Sequence, residues 1–274
     1  MIPVYYSGNR GIFKGILLST MSLAKYSKEE ICVHILTMNL EEINPKFQDI
    51  SDEQIDLLTK ILQRSNPNSK AVKDDVTNEY KSYLMGGAND KNGYTPYAML
   101  RLVTDLTENT PDKAIYLDAD TMACKDIKEL FDVDIEGFDY GAAKDYMGRF
   151  WIHRHYCNSG VMLMNLKQIK ENGLFRKCRE RVFHHRMAFP DQTSLNKYGK
   201  KKYLPFKFNE QRKIKKDTVI KHFCKGATFY LPFWVEVFNV KQWDFDKVHK
   251  KLKIHMFDDI FEEFEKLKSE YDFI

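Results

Sequence analysis

The sequence predicts an α/β fold on three observations: short apolar runs alternate with helical periodicity, two carboxylates stand where one such run ends, and 274 residues suffice for a full core. Residues 2–6 form an apolar run that enters a turn cluster, Ser7-Gly8-Asn9-Arg10-Gly11. Ile12, Ile16, Leu17, Leu23 and Ala24 then recur at helical spacing, so the chain opens strand, loop, helix. Residues 31–37 read as the next strand. Ser51-Asp52 supplies an N-cap for a helix over 53–64, which Asn66-Pro67-Asn68 ends. The polar stretch 73–93, with its glycine pairs, reads as an insertion or mobile loop. Pro96 suits the first turn of a helix over 95–106. That helix leads into Ala114-Ile115-Tyr116-Leu117, a strand that surfaces at its carboxyl end. Further strands are expected over 140–143, 160–166 and 218–223, and helices over 126–131, 174–185 and 192–198. In the tail, Ile260, Phe261, Phe264 and Leu267 have the spacing of an amphipathic helix packed on the domain.

A hydrophobic share of 43% against 30% charged residues excludes disorder as the main state. The formal charge is only +4, yet lysines and arginines crowd residues 200–225, opposed there by Glu210 and Asp217 alone. No nucleic-acid signature accompanies them, so the stretch reads first as a solvated face or lid loop and second as an aid to binding an anionic donor or a membrane. Within it, the polar run 209–217 looks mobile. The five cysteines are scattered and include no Cys-x-x-Cys pair, which argues against a disulfide framework or a structural zinc and points to a reducing, cytoplasmic setting. The opening residues lack the pattern of a signal peptide and no run reaches about 18 apolar residues, so any membrane contact is expected to be peripheral.

The chemistry concentrates at Asp118-Ala119-Asp120, directly after the apolar run. Open α/β sheets bind ligands at the carboxyl ends of their strands, and two hard oxygen ligands there can hold Mg²⁺ or Mn²⁺ against a phosphate or diphosphate. By itself the pair reads equally well as two solvated acids. The motif also resembles the opening of the haloacid-dehalogenase phosphatases, but these ask for Asp-x-Asp-x-Thr near the amino terminus, and Met122 holds the threonine place here. That reading is the runner-up.

Three further motifs follow in order: Asn158-Ser159-Gly160 before an apolar strand, the pair Asp191-Gln192, and a late His222-Phe223. With Tyr116-Leu117 ahead of the acids, the set resembles the retaining glycosyltransferases of family 8, from the first strand to about Trp243. The resemblance implies a GT-A nucleotide-diphospho-sugar transferase fold over residues 1–243, a single mixed central sheet flanked by helices, with 244–274 as a helical extension packed on it. It makes Asp118, Asp120 and His222 the ligands of Mn²⁺ or Mg²⁺, a set of two carboxylates and an imidazole that suits either ion. Asn158 and Ser159 fall in the sugar region. Asp191 and Gln192 fall near the sugar hydroxyls and anomeric carbon, and Asp145 where another sugar-binding acid stands. Tyr5, Tyr6, Ser7 and Asn9 match the loop that holds the nucleoside. Ala119 lies between the metal acids, and Lys225, Gly226 and Lys241 are the candidates around the diphosphate.

The implied activity is transfer of a hexose, glucose or galactose, from a UDP-sugar to a hydroxyl acceptor with retention. Gln192 would position the sugar, and Asp191 and Asp145 stand as fallback nucleophiles. The acceptor would be a saccharide, a lipid-linked species or a protein; no nucleic acid is expected. Three departures from the family pattern stand out. Ser7 replaces a frequent acid, Met99 replaces the arginine of Tyr-x-Arg-Leu with Arg101 as its possible substitute, and the segment after His222 lacks the usual glycine and lysine spacing. These departures keep open a nucleotide-sugar-binding protein that has lost turnover.

Overall fold

The computed structural model describes residues 1–90, 95–230 and 234–274. Eleven strands lie in the described part: β1 (Ile2–Ser7), β2 (Ile31–Thr37), β3 (Lys70–Asp75), β4 (Lys113–Leu117), β5 (Thr121–Ala123), β6 (Tyr140–Lys144), β7 (Cys157–Asn165), β8 (Lys201–Leu204), β9 (Ile220–His222), β10 (Gly226–Tyr230) and β11 (Trp234–Phe238). Seven of them form one mixed sheet in the order β3-β2-β1-β4-β7-β6-β8, and only β7 runs against its neighbours. Strands buried on both faces need apolar side chains on both, which is why β1, β4 and the 161–164 part of β7 read as continuous apolar runs.

Helices cover each face. Phe13–Tyr26, Asp52–Gln63 and Asp258–Glu270 pack with Val4, Tyr6, Ile115 and Leu117 on one side. The opposite face, with Tyr5 and Tyr116, is covered by Pro96–Leu106, Leu166–Asn172, Leu174–His184 and Pro190–Tyr198. Ser51 and Gln54 form the expected start of the second helix as a reciprocal capping box. In the tail, Ile260, Phe261, Phe264 and Leu267 enter the same core cluster as the first helix, and Gln54 Nε2 donates to Phe273 O at 3.0 Å.

Three expectations change. Residues 73–90 are no loose insertion: they end β3 and form the helix Thr77–Tyr83, whose Tyr80 is buried and donates to Asp90 Oδ1 at 2.8 Å. The remaining residues of the expected loop, 91–93, lie outside the described part. Polarity misled here because one buried aromatic face is enough to anchor a short helix. The run 209–217 likewise starts deep in the protein, with Asn209, Glu210 and Gln211 all buried. Lys221 is buried too, its Nζ donating to Glu210 O and Arg212 O at 3.2 and 2.7 Å, and burial pushes its pKa below the ordinary lysine value. The basic stretch is therefore not one solvated face. Lys201 and Lys202 belong to β8, an edge strand that no apolar run in the sequence announces; lysines on such an edge discourage pairing with another chain.

Where β1 and β4 end, the chain turns twice in a way that builds a site. β4 passes into β5, and β5 pairs antiparallel with β9 so that Thr121 faces His222.

One ion pair on β2 and β3 gives the fold a pH dependence. His34 Nδ1 lies 3.0 Å from Asp74 Oδ2, both side chains largely buried, and Tyr5 stacks on the imidazole at 4.6 Å. Burial disfavours the imidazolium, but the hydrogen bond to Asp74 outweighs it and lifts the pKa to about 9. A raised histidine pKa stabilises the fold fully below the unfolded value of about 6.5, and the contribution disappears as pH rises through the folded value. The difference in unfolding free energy between wild type and Asp74→Asn is therefore expected to reach on the order of 2 kcal/mol near pH 6 and to shrink towards pH 9. Urea titrations across that range measure it, and a flat difference would remove the pair from the account.

Candidate active site

Asp118 is the first residue beyond β4, and its N–H donates to Gly160 O at 2.7 Å, extending the β4–β7 ladder by one bond. Asp120 follows at the β5 turn, where its carbonyl accepts from Phe223 N at 2.8 Å. These backbone bonds bring both carboxylates to His222. Its Nε2 lies 3.0 Å from Asp120 Oδ1 and 3.9 Å from Asp118 Oδ2, and the three groups offer ligand atoms within 4.8 Å of one another.

On the far side of the ring, His222 Nδ1 is 3.0 Å from Asn209 Oδ1, while Asn209 Nδ2 donates to Asn158 Oδ1 at 2.9 Å. That arrangement makes Nδ1 the donor and leaves the Nε2 lone pair facing the carboxylates, the tautomer a metal ligand needs. Gly160 makes room for it. A Cβ at this position would stand 2.3 Å from His222 Cε1 and 2.6 Å from Asp118 Oδ2, so only glycine lets both groups face the same point. Two carboxylates, one correctly oriented imidazole and a wall kept clear of side chain fit a divalent cation.

Arg101 holds the next part of the site. Buried, it lies 2.8 Å from Asp118 Oδ1 through Nη2 and 2.9 Å from Asp191 Oδ2 through Nε, and Nη1 donates to Ser159 O. Its guanidinium also lies 4.4 Å over the Tyr116 ring, whose hydroxyl is 2.6 Å from Ser7 Oγ. Residues 96–106 are wound as a 3₁₀-helix, and although two positions along it lie on different faces, Met99 and Arg101 both line the cavity.

Beyond Arg101 the polar groups interlock. Gln192 Oε1 accepts from Ser159 N at 2.9 Å, Gln192 Nε2 donates to Asp145 Oδ2 at 3.2 Å, and Asn158 Nδ2 donates to the same oxygen at 3.0 Å. Ser159 Oγ donates to Asp191 Oδ2 at 3.2 Å. Asp145 Oδ1 meanwhile caps the turn that follows, accepting from Met147 N and Gly148 N.

An open cavity of about 520 Å³ runs along these groups. Its walls include Ser7, Asn9, Arg101, Asp118, Ala119, Asp120, Asp191, Gln192, Lys241 and Trp243. Asp145, Asn158 and His222 stand behind that wall and support it. Lys241 Nζ reaches Asp120 Oδ2 and donates to Phe223 O at 3.3 Å, so Lys241 is the lysine placed at the acids. Lys225 is exposed, and neither it nor Gly226 is among the lining residues. Tyr5 and Tyr6 do not reach the cavity either. They lie inside β1, a central strand covered on both faces, so alternation buries one ring on each side, and Tyr6 Oη bonds Ser19 Oγ at 2.7 Å.

Two contributors escaped the sequence reading. Asn209 stood in a run that looked mobile, and Gln242, fully buried, donates through Nε2 to Ala119 O at 2.6 Å between the two acids. Nothing local marks either one, because their partners lie far away in the chain.

The mixed sheet with its site at the β1 and β4 ends is a GT-A fold, and solved structures agree. The galactosyltransferase LgtC, solved with donor and acceptor sugar analogs, superposes with a TM-score of 0.65 over 97% of this chain and 96% of its own, at 15% identity. GlyE of Streptococcus pneumoniae gives 0.62 over 97% of this chain and 63% of its own, at 18% identity. Residues 3–229 match glycosyl transferase family 8, and the chain belongs to that family. The curated relative GlyA of Streptococcus pneumoniae is 27% identical over 187 residues, which are 66% of this chain and 25% of GlyA. GlyF of the same organism is 26% identical over 161 residues, 57% of this chain and 38% of GlyF. The chain thus spans a minor part of the length of these two relatives. Family membership sets aside the phosphatase reading of Asp-x-Asp.

Gly160→Ala tests the geometry directly. The added methyl must separate His222 from Asp118, so Mn²⁺ affinity, read by calorimetry, is expected to fall about 10–100-fold while the far-ultraviolet circular dichroism is retained. Unchanged affinity would show that the cation does not sit between them.

Proposed function

We propose that the chain is a retaining glycosyltransferase that moves a hexose, glucose or galactose, from a UDP-sugar to a hydroxyl of a saccharide, lipid-linked or protein acceptor, with Mn²⁺ or Mg²⁺ as cofactor. The observation that carries this is the convergence of Asp118, Asp120 and His222 beside a cavity that Asp191 and Gln192 also line. Asp118, Asp120 and His222 would hold the metal. When bound, it supplies positive charge against the departing diphosphate.

The remaining steps belong to side chains. Lys241, on the cavity wall beside Asp120, adds a second cation to the diphosphate end. Ser7 and Asn9, at the end of β1, are the groups offered to the nucleoside. On this reading Gln192 and Asp191 form the sugar end, where Ser159 and Arg101 hold them, so their polar atoms present a fixed pattern to sugar hydroxyls. Asp145 sits behind Gln192 and fixes its amide, acting through Gln192 on the sugar. No nucleophile is required if the acceptor hydroxyl approaches beside the leaving group. Asp191 is the carboxylate on the cavity wall at that end should a covalent step be used. Arg101 reaches Asp118 and Asp191 despite Met99 at the family's arginine position, which favours turnover over a binding protein that has lost it.

Among the described residues no helix is long and apolar enough to cross a membrane.

Hydrolysis of UDP-glucose and UDP-galactose with Mn²⁺, read as UDP release, tests the reading. Asp120→Asn is expected to lower the rate about 100-fold or more, and EDTA to abolish it. Full activity in EDTA would sink the metal assignment. For the sugar end, Gln192→Ala should reduce turnover at least about tenfold while UDP affinity stays within about twofold, because the lost contact is made to the reacting sugar. An equal loss of UDP affinity would place Gln192 at the nucleotide.

A further inference from the structure

The connection between β6 and β7 carries a surface that the cavity does not use. Its tip presents Phe150, Trp151 and Ile152 at 68%, 72% and 49% exposure, three consecutive large apolar side chains in water. From Tyr146 to Asn158 the chain has no acidic residue, while Arg149, His153, Arg154 and His155 fall within it. Arg149, Arg212 and Lys144 are held in place by rings, and Arg154 donates through Nε to His155 Nε2 at 2.8 Å. Arg149 lies 4.6 Å over Phe150 and 5.3 Å over Phe206, and Arg212 lies 4.5 Å over Tyr146. On the other flank Lys144 Nζ stands 5.4 Å from the Tyr203 ring, on which His155 also packs at 5.6 Å as a neutral imidazole, its pKa pushed down by burial and by Arg154 and its Nε2 accepting from Arg154 Nε. Asp145, the acid that directly precedes the loop in the chain, is already engaged by Asn158, Gln192 and two backbone amides.

An apolar tip ringed by fixed positive charge is complementary to a surface that is anionic outside and apolar just beneath. We propose that this loop docks the protein on an anionic lipid bilayer, with Phe150, Trp151 and Ile152 entering the interfacial layer and Arg149 and Arg154 meeting lipid phosphates. A soluble polyanion would satisfy the cations and leave the three apolar side chains in water, whereas a bilayer takes both. Docking brings the Asp145–Gln192 end of the cavity towards the membrane. On the transferase reading above, from which this one consequence follows, the acceptor is then lipid-linked.

The test uses the whole chain with vesicles of phosphatidylcholine alone and of equal parts phosphatidylcholine and phosphatidylglycerol. Co-sedimentation is expected with the anionic vesicles only, and is expected to weaken about tenfold or more in the double variant Phe150→Ser, Trp151→Ser, whose sites are exposed and outside the core. Brominated lipid should quench tryptophan fluorescence in wild type and much less in Trp151→Ser. No sedimentation overturns the proposal. Equal binding by the double variant also overturns it and moves the contact to the lysines of 200–225. Retention on an acidic oligosaccharide without vesicle binding makes the patch a glycan platform and equally refutes it. None of these readouts needs sugar transfer, so they stand or fall apart from the proposed activity.

Discussion

The Arg101 guanidinium, shared between Asp118 and Asp191 and laid on the Tyr116 ring, is the contact on which the arrangement of the site depends. Asp118 comes from the end of β4, Asp191 from the start of the helix Pro190–Tyr198, and Ser159, whose carbonyl Arg101 also binds, from β7. One side chain therefore fixes the spacing between the strand-end acid Asp118 and the Asp191–Gln192 pair. Breaking a buried ion pair by removing one partner leaves an uncompensated charge, at a cost of about 3–5 kcal/mol. Here Asp191 is the buried partner while Asp118 is partly solvated, so geometry and stability are tied to the same group chiefly through Asp191.

The second determinant is the strand reversal. β7 runs against β4, which places Gly160 opposite the end of β4 and lets its carbonyl hold Asp118. The small β5–β9 ladder then returns the chain from residue 222 to the same point. From there the hydrogen bonds pass without a gap through His222, Asn209, Asn158 and Asp145 to Gln192. A connected network in a low-dielectric setting orients each member through its neighbours, so a cation at one end and a sugar at the other would meet groups already aimed at them.

Much of this was legible in the sequence, and for physical reasons. Apolar runs such as 31–37 and 114–117 declare buried strands because water would not tolerate them elsewhere, and Ser51 with Gln54 declares a helix start because the capping bonds are local. The ordered motifs marked Asp118, Asp120, Asn158, Asp191, Gln192 and His222, which the fold brings to one place. Misreadings came where partners are distant: Tyr80 and Asn209 look like loop residues until the surfaces that bury them are present, and β8 with its lysines does not resemble a strand unless its place at the sheet edge is known.

What the sequence determined by itself was the alternation of strands and helices, the strand-end acids and the family to which their pattern belongs. Each rests on periodicity, capping or motif order, which are properties of neighbouring residues. Tertiary structure alone decided that Lys241 and not Lys225 stands at Asp120, that Tyr5 and Tyr6 are core, and that Arg101 points into the cavity despite Met99 at the family position. Those outcomes depend on where 96–106 packs against the sheet, on both faces of β1 being covered, and on a return of the chain more than a hundred residues after the acids. No local preference encodes such distances; the packing of the sheet sets them.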